Sequence, residues 1–367
     1  MIKLALCITE LNIGGAERAL CELAVGLDKS RFKTTVYSLQ PKPANDTMSC
    51  VPMLEAAGIP VRFLNIQGSA SFLPGFFRLR KLLKERKPDI FVSFLFHANF
   101  LGRLAARSMG VRHIVSGIRV AEREKRWHVA LDRWTSRYVE RYVCVSDSVA
   151  EFTHISGKIP VEKIEVIPNG IRIAGTLAPP SRQNRIIFIG RLTYQKGLDW
   201  FLETAPDWLS KLPGWELWIV GDGEQRDLLT NLMQQPDFNA VRNYVKLTGW
   251  RADAAELLAE SRLLVLPSRW EGMPNVVLQA MAARLPVVAS NVEGVSELLG
   301  PDAEPQIFTF GDRVALAERL LLLATDSELA ERLGEANRYR AMEHFELETV
   351  VEKYERLFES LAEPRFS

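Results

Sequence analysis

Glu271 opens the stretch with the most chemistry in it, Glu271-Gly272-Met273-Pro274-Asn275-Val276-Val277-Leu278-Gln279, where a strand-like run ends, a turn follows and a helix begins. An ionised carboxylate there can accept hydrogen bonds from hydroxyls and stabilise a developing oxocarbenium-like charge without an unusual pKa. Pro274 suits a first helical turn, which leaves the amides from Gly272 to Val276 to bind an anion or sugar hydroxyls. Gln279 lies four residues beyond Asn275, on the same helix face. A second group, Gly190-Arg191-Leu192-Thr193-Tyr194-Gln195-Lys196-Gly197, places two cations between a strand and a helix. Arg191 offers a planar fork for phosphate oxygens and Lys196 a compact point charge, which together suit a diphosphate. Two surface cations with no ligand are the plainer alternative.

Weaker signals surround these two. Gly14 and Gly15 follow the first strand-like run and precede a helix, as a phosphate or acceptor loop would, although paired glycines also make an ordinary structural turn. Asp222, in Gly221-Asp222-Gly223-Glu224, reads as a helix cap. His97 is expected at the end of an apolar strand, as a ligand-facing group or a satisfied structural histidine. Arg119 shares a loop with Glu122 and Arg123, either as a binding cluster or as a solvated salt-bridged turn.

Loops of this kind need strands behind them. The runs IKLALCI, TTVYSL, VRFLNI, DIFVSFL, RHIVSG and RYVCVS alternate with helical patterns, the first helix starting near Ala16. The pattern pauses at Val166-Ile167-Pro168-Asn169-Gly170 and again at Gly175 and the polar APPSRQN, which reads as a linker. It resumes with RIIFIG, WELWIVG, YVKLTG, RLLVLP, LPVVAS and QIFTF. Strand–helix alternation predicts parallel sheets covered by helices on both faces, with ligands outside the carboxyl ends of the strands. The fold class is therefore α/β, with two Rossmann-like domains built on parallel sheets. Residues 1–170 form the first and 171–345 the second. Residues 346–367 form a helix that crosses back to the first, part of a helical region that starts at Asp312.

A chain of 367 residues fits two domains, and 47% apolar with 25% charged residues is the balance of a globular protein. No run reaches the roughly 20 apolar residues of a spanning helix, and the N-terminus reads as a buried strand rather than a signal peptide. The four cysteines, 7, 21, 50 and 144, have no metal-ligand spacing, and a reduced cytoplasmic compartment is expected. Net charge is +1, yet the chain is polarised. Up to Gly175 there are 26 Lys and Arg against 16 Asp and Glu, and after it 20 against 29. The basic excess around FFRLRKLLKERKP suits an anionic membrane face or a phosphorylated acceptor, or else a solvated helix.

Taken in order, GGAER at 14–18, VIPNG at 166–170, GRLTYQKG at 190–197, GDGE at 221–224 and EGMPNVVLQAMA at 271–282 resemble a retaining glycosyltransferase of the GT-B fold, family 4. That family includes bacterial surface-polysaccharide and lipid-linked-oligosaccharide enzymes, and the resemblance covers essentially the whole chain. It implies transfer of a hexosyl or N-acetylhexosaminyl group from a nucleoside diphosphate sugar, a UDP-sugar in preference to a GDP-sugar, to a glycan or lipid-linked acceptor. Attack would be front-face with retention, and neither metal nor cofactor is required. Arg191 and Lys196 would hold the donor diphosphate, Glu271 would lie near the donor sugar, and Gly190 and Gly272 to Val276 would line the donor. The GT-B fold it implies sets the two Rossmann-like domains facing a central cleft, with residues 1–170 as the acceptor domain and 171–345 as the donor domain, and Gly14, Gly15, His97 and Arg119 would belong to the acceptor side.

Two departures from the family pattern stand out. Gln279 occupies the place of a glutamate that holds the nucleotide ribose, and Ile118, followed by Arg119, replaces a histidine. A nucleotide-sugar epimerase shares the two-domain fold, although EGMPN with VIPNG argues for transfer, and Gln279 keeps open a degenerate, non-catalytic nucleotide-sugar-binding protein, against which Glu271, Arg191 and Lys196 stand. Nucleic acid is not an expected partner.

Overall fold

The computed structural model describes residues 1–122, 126–173 and 182–363. Arg123 and the linker residues from Gly175 to Ser181 lie outside that set. The chain divides into two compact units, one made of residues 1–170 with 347–367 and the other of 171–346.

The first unit holds a seven-stranded parallel sheet: β1 (Ile2–Ile8), β2 (Phe32–Ser38), β3 (Val61–Phe63), β4 (Ile90–Phe94), β5 (His113–Ile118), β6 (Arg141–Cys144) and β7 (Ile164–Val166). The spatial order is β3-β2-β1-β4-β5-β6-β7. Strand β7 falls where the alternation of the sequence pauses. Three residues running into Pro168 are too few to show a period, and their pairing with β6 is what makes them a strand. Central strands such as β1, buried from Leu4 to Ile8, read as apolar runs because helices cover both faces.

On one face lie α1 (Gly15–Gly26), α2 (Val51–Ala56) and the last helix; on the other lie α3 (Phe72–Arg86) and α4 (Phe96–Ser108). Helices α5 (Arg126–Thr135), packed against α4, and α6 (Asp147–Ile155) complete the unit up to Gly170.

The second unit holds β8 (Arg185–Ile189), β9 (Glu216–Val220), β10 (Val245–Gly249), β11 (Leu263–Leu266), β12 (Val287–Ser290) and β13 (Ile307–Phe308), all parallel, in the order β10-β9-β8-β11-β12-β13. Its helices are α7 (Leu198–Leu209), α8 (Arg226–Met233), α9 (Ala254–Ala259), α10 (Asn275–Ala282), α11 (Val295–Leu299), α12 (Arg313–Thr325) and α13 (Ser327–His344). Asp312 caps α12 by accepting from the amides of Val314 and Ala315 at 3.1 and 2.9 Å.

The chain then re-enters the first unit as α14 (Leu347–Ala362). Leu347, Val350, Val351, Tyr354, Leu357, Phe358 and Leu361 repeat at helical spacing and are buried against α1, β1 and β2. Phe358 meets Phe32 edge-on, with ring centroids 6.2 Å apart, and Glu355 accepts from the Asp28 amide at 2.8 Å. At about 1.5–3 kcal/mol per buried large side chain, this stripe outweighs the half-exposed Arg31–Glu359 pair beside it. No helix among the described residues is long and apolar enough to cross a membrane.

Candidate functional site

In each sheet the strand order reverses once, between β1 and β4 and between β8 and β11. At such a reversal the loops leave in opposite directions and open a crevice at the strands' carboxyl ends. Lys196 follows β8, Glu271 follows β11, and they meet there: Lys196 Nζ donates to Glu271 Oε1 at 2.5 Å. Ser268 Oγ donates to the same oxygen at 2.6 Å. Glu271 is only 6% exposed, and these two donors supply the hydrogen bonds that burial takes from water.

The scaffold around the pair is dense. Arg269 grips Asp199 of α7 through two bonds of 2.8 Å and lies 3.8 Å from the centre of the Tyr194 ring. Burial pushes the Asp199 carboxyl up, but its bonds from Arg269 prevail and leave it below its ordinary value. Gln195 Nε2 donates to the Trp270 carbonyl at 2.9 Å, and the Arg269 amide returns a bond of 2.8 Å to the Gln195 carbonyl. The loop after β8 is thus stitched to the loop after β11 on both sides of Lys196. Gly197 has φ +65°, and a Cβ there would lie 2.1 Å from the Pro267 carbonyl oxygen, so only glycine lets the two loops approach this closely.

Other donor-side residues fall around this centre. Gly190 lies beside the Lys196 stem, and its amide donates to Val220 at 3.0 Å. Arg191 is exposed, and its guanidinium has no partner among the described residues. Gly272 and Met273 are buried, and Asn275 and Val276 begin α10 half-buried. Pro274 is the residue before α10, with ψ 112°, rather than part of its first turn. The Gln279 side chain is half-buried one turn on from Asn275. Asp222 is not a helix cap: it accepts from the amide of Gly223 at 2.8 Å and meets Arg226 at 3.3 Å, while α8 starts after Gln225. Two further residues belong to the site. Ser268 shares Glu271, and Glu293, in the loop after β12, accepts from the Glu271 amide at 3.2 Å. The only local signal for Glu293 is the glycine after it.

In the first unit, Gly14 precedes α1 and Gly15 opens it. The Glu17 carboxylate folds back over Gly14, its Oε2 2.2 Å from where a Cβ would sit, so the helix start already carries a negative charge. That disfavours a phosphate and suits a neutral, hydroxyl-bearing group. His97 does not end a strand. Strand β4 stops at Phe94, Leu95 turns sharply with φ +73°, and His97 sits exposed in the first turn of α4. Near it, His128 Nδ1 lies 3.0 Å from Glu122 Oε2, and Phe96 stacks on the His128 ring at 3.6 Å. The His97 and His128 rings are 6.0 Å apart. His128 is buried in α5, and nothing in its spacing marked it. Arg119 turns inward instead of joining Glu122: its guanidinium lies 4.8 Å from the Phe94 ring centre and beside the Tyr354 hydroxyl. Burial holds it below its ordinary pKa, against the pull of Tyr354.

Known proteins fit both halves of this arrangement. Residues 13–174 match the family described as Glycosyltransferase Family 4, and residues 183–326 match Glycosyl transferases group 1. The chain belongs to the family 4 glycosyltransferases. This glycosyltransferase is 29% identical over 304 residues to the UDP-Gal:alpha-D-GlcNAc-diphosphoundecaprenol alpha-1,3-galactosyltransferase of Escherichia coli, covering 76% of this chain and 77% of that one. It is 25% identical over 374 residues, 97% of this chain and 98% of the other, to the GalNAc-alpha-(1->4)-GalNAc-alpha-(1->3)-diNAcBac-PP-undecaprenol alpha-1,4-N-acetyl-D-galactosaminyltransferase of Campylobacter jejuni. Among solved structures, Anabaena Alr3699/HepE in complex with UDP superposes with a TM-score of 0.83 at 21% identity, over 98% of this chain and 100% of that one. That likeness establishes the GT-B fold of the glycosyltransferase.

Proposed function

We propose that the glycosyltransferase moves a hexosyl or N-acetylhexosaminyl group from a nucleoside diphosphate sugar, UDP foremost, to a glycan or lipid-linked acceptor with retention at the anomeric carbon. The observation that carries this reading is the Lys196–Glu271 pair held between the two switch-point loops of the second unit. An ammonium has three N–H donors, so Lys196 can keep its bond to Glu271 and still donate to the leaving diphosphate, with exposed Arg191 as a second cation. Between them they neutralise the leaving group, and the reaction needs no metal. The bond from the anomeric carbon to the β-phosphate oxygen breaks while the acceptor oxygen bonds on the same face. The acceptor proton passes to the leaving phosphate, and Glu271 stabilises the positive charge that develops on the sugar. The Escherichia coli and Campylobacter jejuni relatives, both named for undecaprenol-linked acceptors, support a lipid-linked acceptor in surface-polysaccharide or lipopolysaccharide synthesis.

The first unit supplies the acceptor side in this reading, and its surface suits a membrane face. Leu73 and Phe77 on α3, and Trp127 and Trp134 on α5, are each more than half exposed. Arg78, Lys81 and Lys84 are exposed on α3, and Arg137 lies 5.5 Å from the Trp134 ring centre. Aromatic side chains set among cations bind the interface of an anionic bilayer. Phe77→Asp is expected to cut binding to phosphatidylglycerol vesicles at least tenfold, and wild-type binding should fall as salt rises. Binding equal to that of the wild type would remove this face from the proposal.

The reaction is tested by incubating the protein, with and without EDTA, with UDP-, GDP- and dTDP-sugars and undecaprenyl-diphosphate-linked acceptors. Nucleotide release and product anomer are then followed. Acceptor-dependent release of UDP, unaffected by EDTA, with an α-linked product from an α-linked donor, is expected. Sugar isomerisation without acceptor, or donor binding without turnover, overturns it. Gln279→Glu adds a charge-assisted acceptor for a ribose hydroxyl and is expected to lower the donor KM several-fold with little change in kcat; a large loss would show that the amide is itself required.

A further inference from the structure

At the opposite end of the second sheet from Lys196 and Glu271, a cavity of about 450 Å³ opens where the strands begin. Arg182 precedes β8, Trp215 precedes β9, Arg262 precedes β11, and Arg284 lies in the turn before β12. Glu331 and Glu335, exposed on α13, form its rim. The volume falls within the roughly 300–1,000 Å³ typical of small-molecule sites.

Three guanidinium groups in one hollow repel one another. Arg182 Nη2 donates to the Ala283 carbonyl at 2.7 Å, but its Nε is buried without a partner among the described residues. Arg262 spends one nitrogen on Asn184 at 2.9 Å, and Arg284 Nε stands 3.5 Å from Glu335. Burial, with the like charges of Arg284 and Arg262, holds Arg182 below its ordinary pKa despite the nearby glutamates. The backbone at Arg284 is itself strained. Arg284 follows α10 with φ +58°, a left-handed position at a helix end where glycine is the default and where any other residue costs about 1–2 kcal/mol. The side chain carried at this position forms a wall of the cavity.

We propose that this cavity is a binding site for a phosphorylated sugar, separate from the donor loops. The guanidinium groups take the phosphate in bidentate fashion, the rim carboxylates accept from hydroxyls, and the buried Trp215 contributes apolar lining. The site does not depend on the donor reading, since it shares no residue with it.

Titration calorimetry of the full chain with glucose 6-phosphate, inorganic phosphate and glucose tests this. Glucose 6-phosphate is expected to bind more tightly than either of the others. Arg284→Gly, which removes the guanidinium and relieves the strained backbone, should weaken binding at least tenfold while the melting temperature holds or rises. Arg262→Gln should weaken it similarly, and Arg191→Ala, in the donor loop, should leave it unchanged. Absence of binding, or binding untouched by Arg284→Gly or lost in Arg191→Ala, overturns the site. Inorganic phosphate binding as tightly as the sugar phosphate overturns the assignment of a sugar.

Discussion

Lys196→Ala should lower kcat by about 10²–10³-fold, the loss seen when one preorganised stabiliser of developing charge is removed. The ammonium is the cation best placed to follow charge onto the leaving group, because its stem is fixed beside Gly190 and its side chain is only 14% exposed. Glu271→Ala should cost as much activity and add instability, since it strands that ammonium against Ser268. Breaking a buried pair from one side costs about 3–5 kcal/mol. The double variant should therefore be more stable than the sum of the single losses, because each substitution removes the reason the other is harmful. Urea-unfolding midpoints and turnover on the same preparations check both halves. Near-wild-type turnover in both single variants would dissolve the site, and strict additivity would show that the contact has no energetic weight.

Gly197→Ala should be nearly as damaging, although it touches no reactive atom. A left-handed φ costs an alanine about 1–2 kcal/mol, and the added methyl would collide with the Pro267 carbonyl, a backbone atom that cannot swing aside. The total expected is about 3 kcal/mol, with a fall in kcat as Lys196 is pushed from Glu271. Gly214→Ala is the control. Its φ is +80° with open space around the site, so it should show the backbone cost alone. Equal destabilisation by the two substitutions would mean that the loops do not meet as closely as described.

The strands were the most legible part of the sequence. Twelve apolar runs bounded by turn residues each contain a strand, because a strand covered on both faces can hold little else. Strand β7 escaped since three residues carry no period. Within the site, Lys196 and Glu271 stood out as separate motifs, but the bond between residues 75 positions apart is a property of the sheet order, which places β8 beside β11. Glu293 and His128 were silent for the same reason: each matters through a neighbour that only the fold supplies. His97 was misplaced because the apolar run continues past the end of β4, and the left-handed turn at Leu95 is invisible to hydrophobicity.

The return of α14 to the first sheet bears on how the molecule is made. Its stripe covers Leu20, Leu23 and Phe32, side chains synthesised more than three hundred residues earlier. On the ribosome, the first unit must wait with that apolar face bare while the whole of the second is translated, whereas the second has all its strands and helices before α14 emerges. Such a wait exposes a chain to misassembly, and contacts so distant in sequence close slowly. The first unit, although made first, is thus the last to be completed. A nascent chain arrested before Leu347 should be the form that chaperones hold, with protease sensitivity concentrated in its N-terminal half.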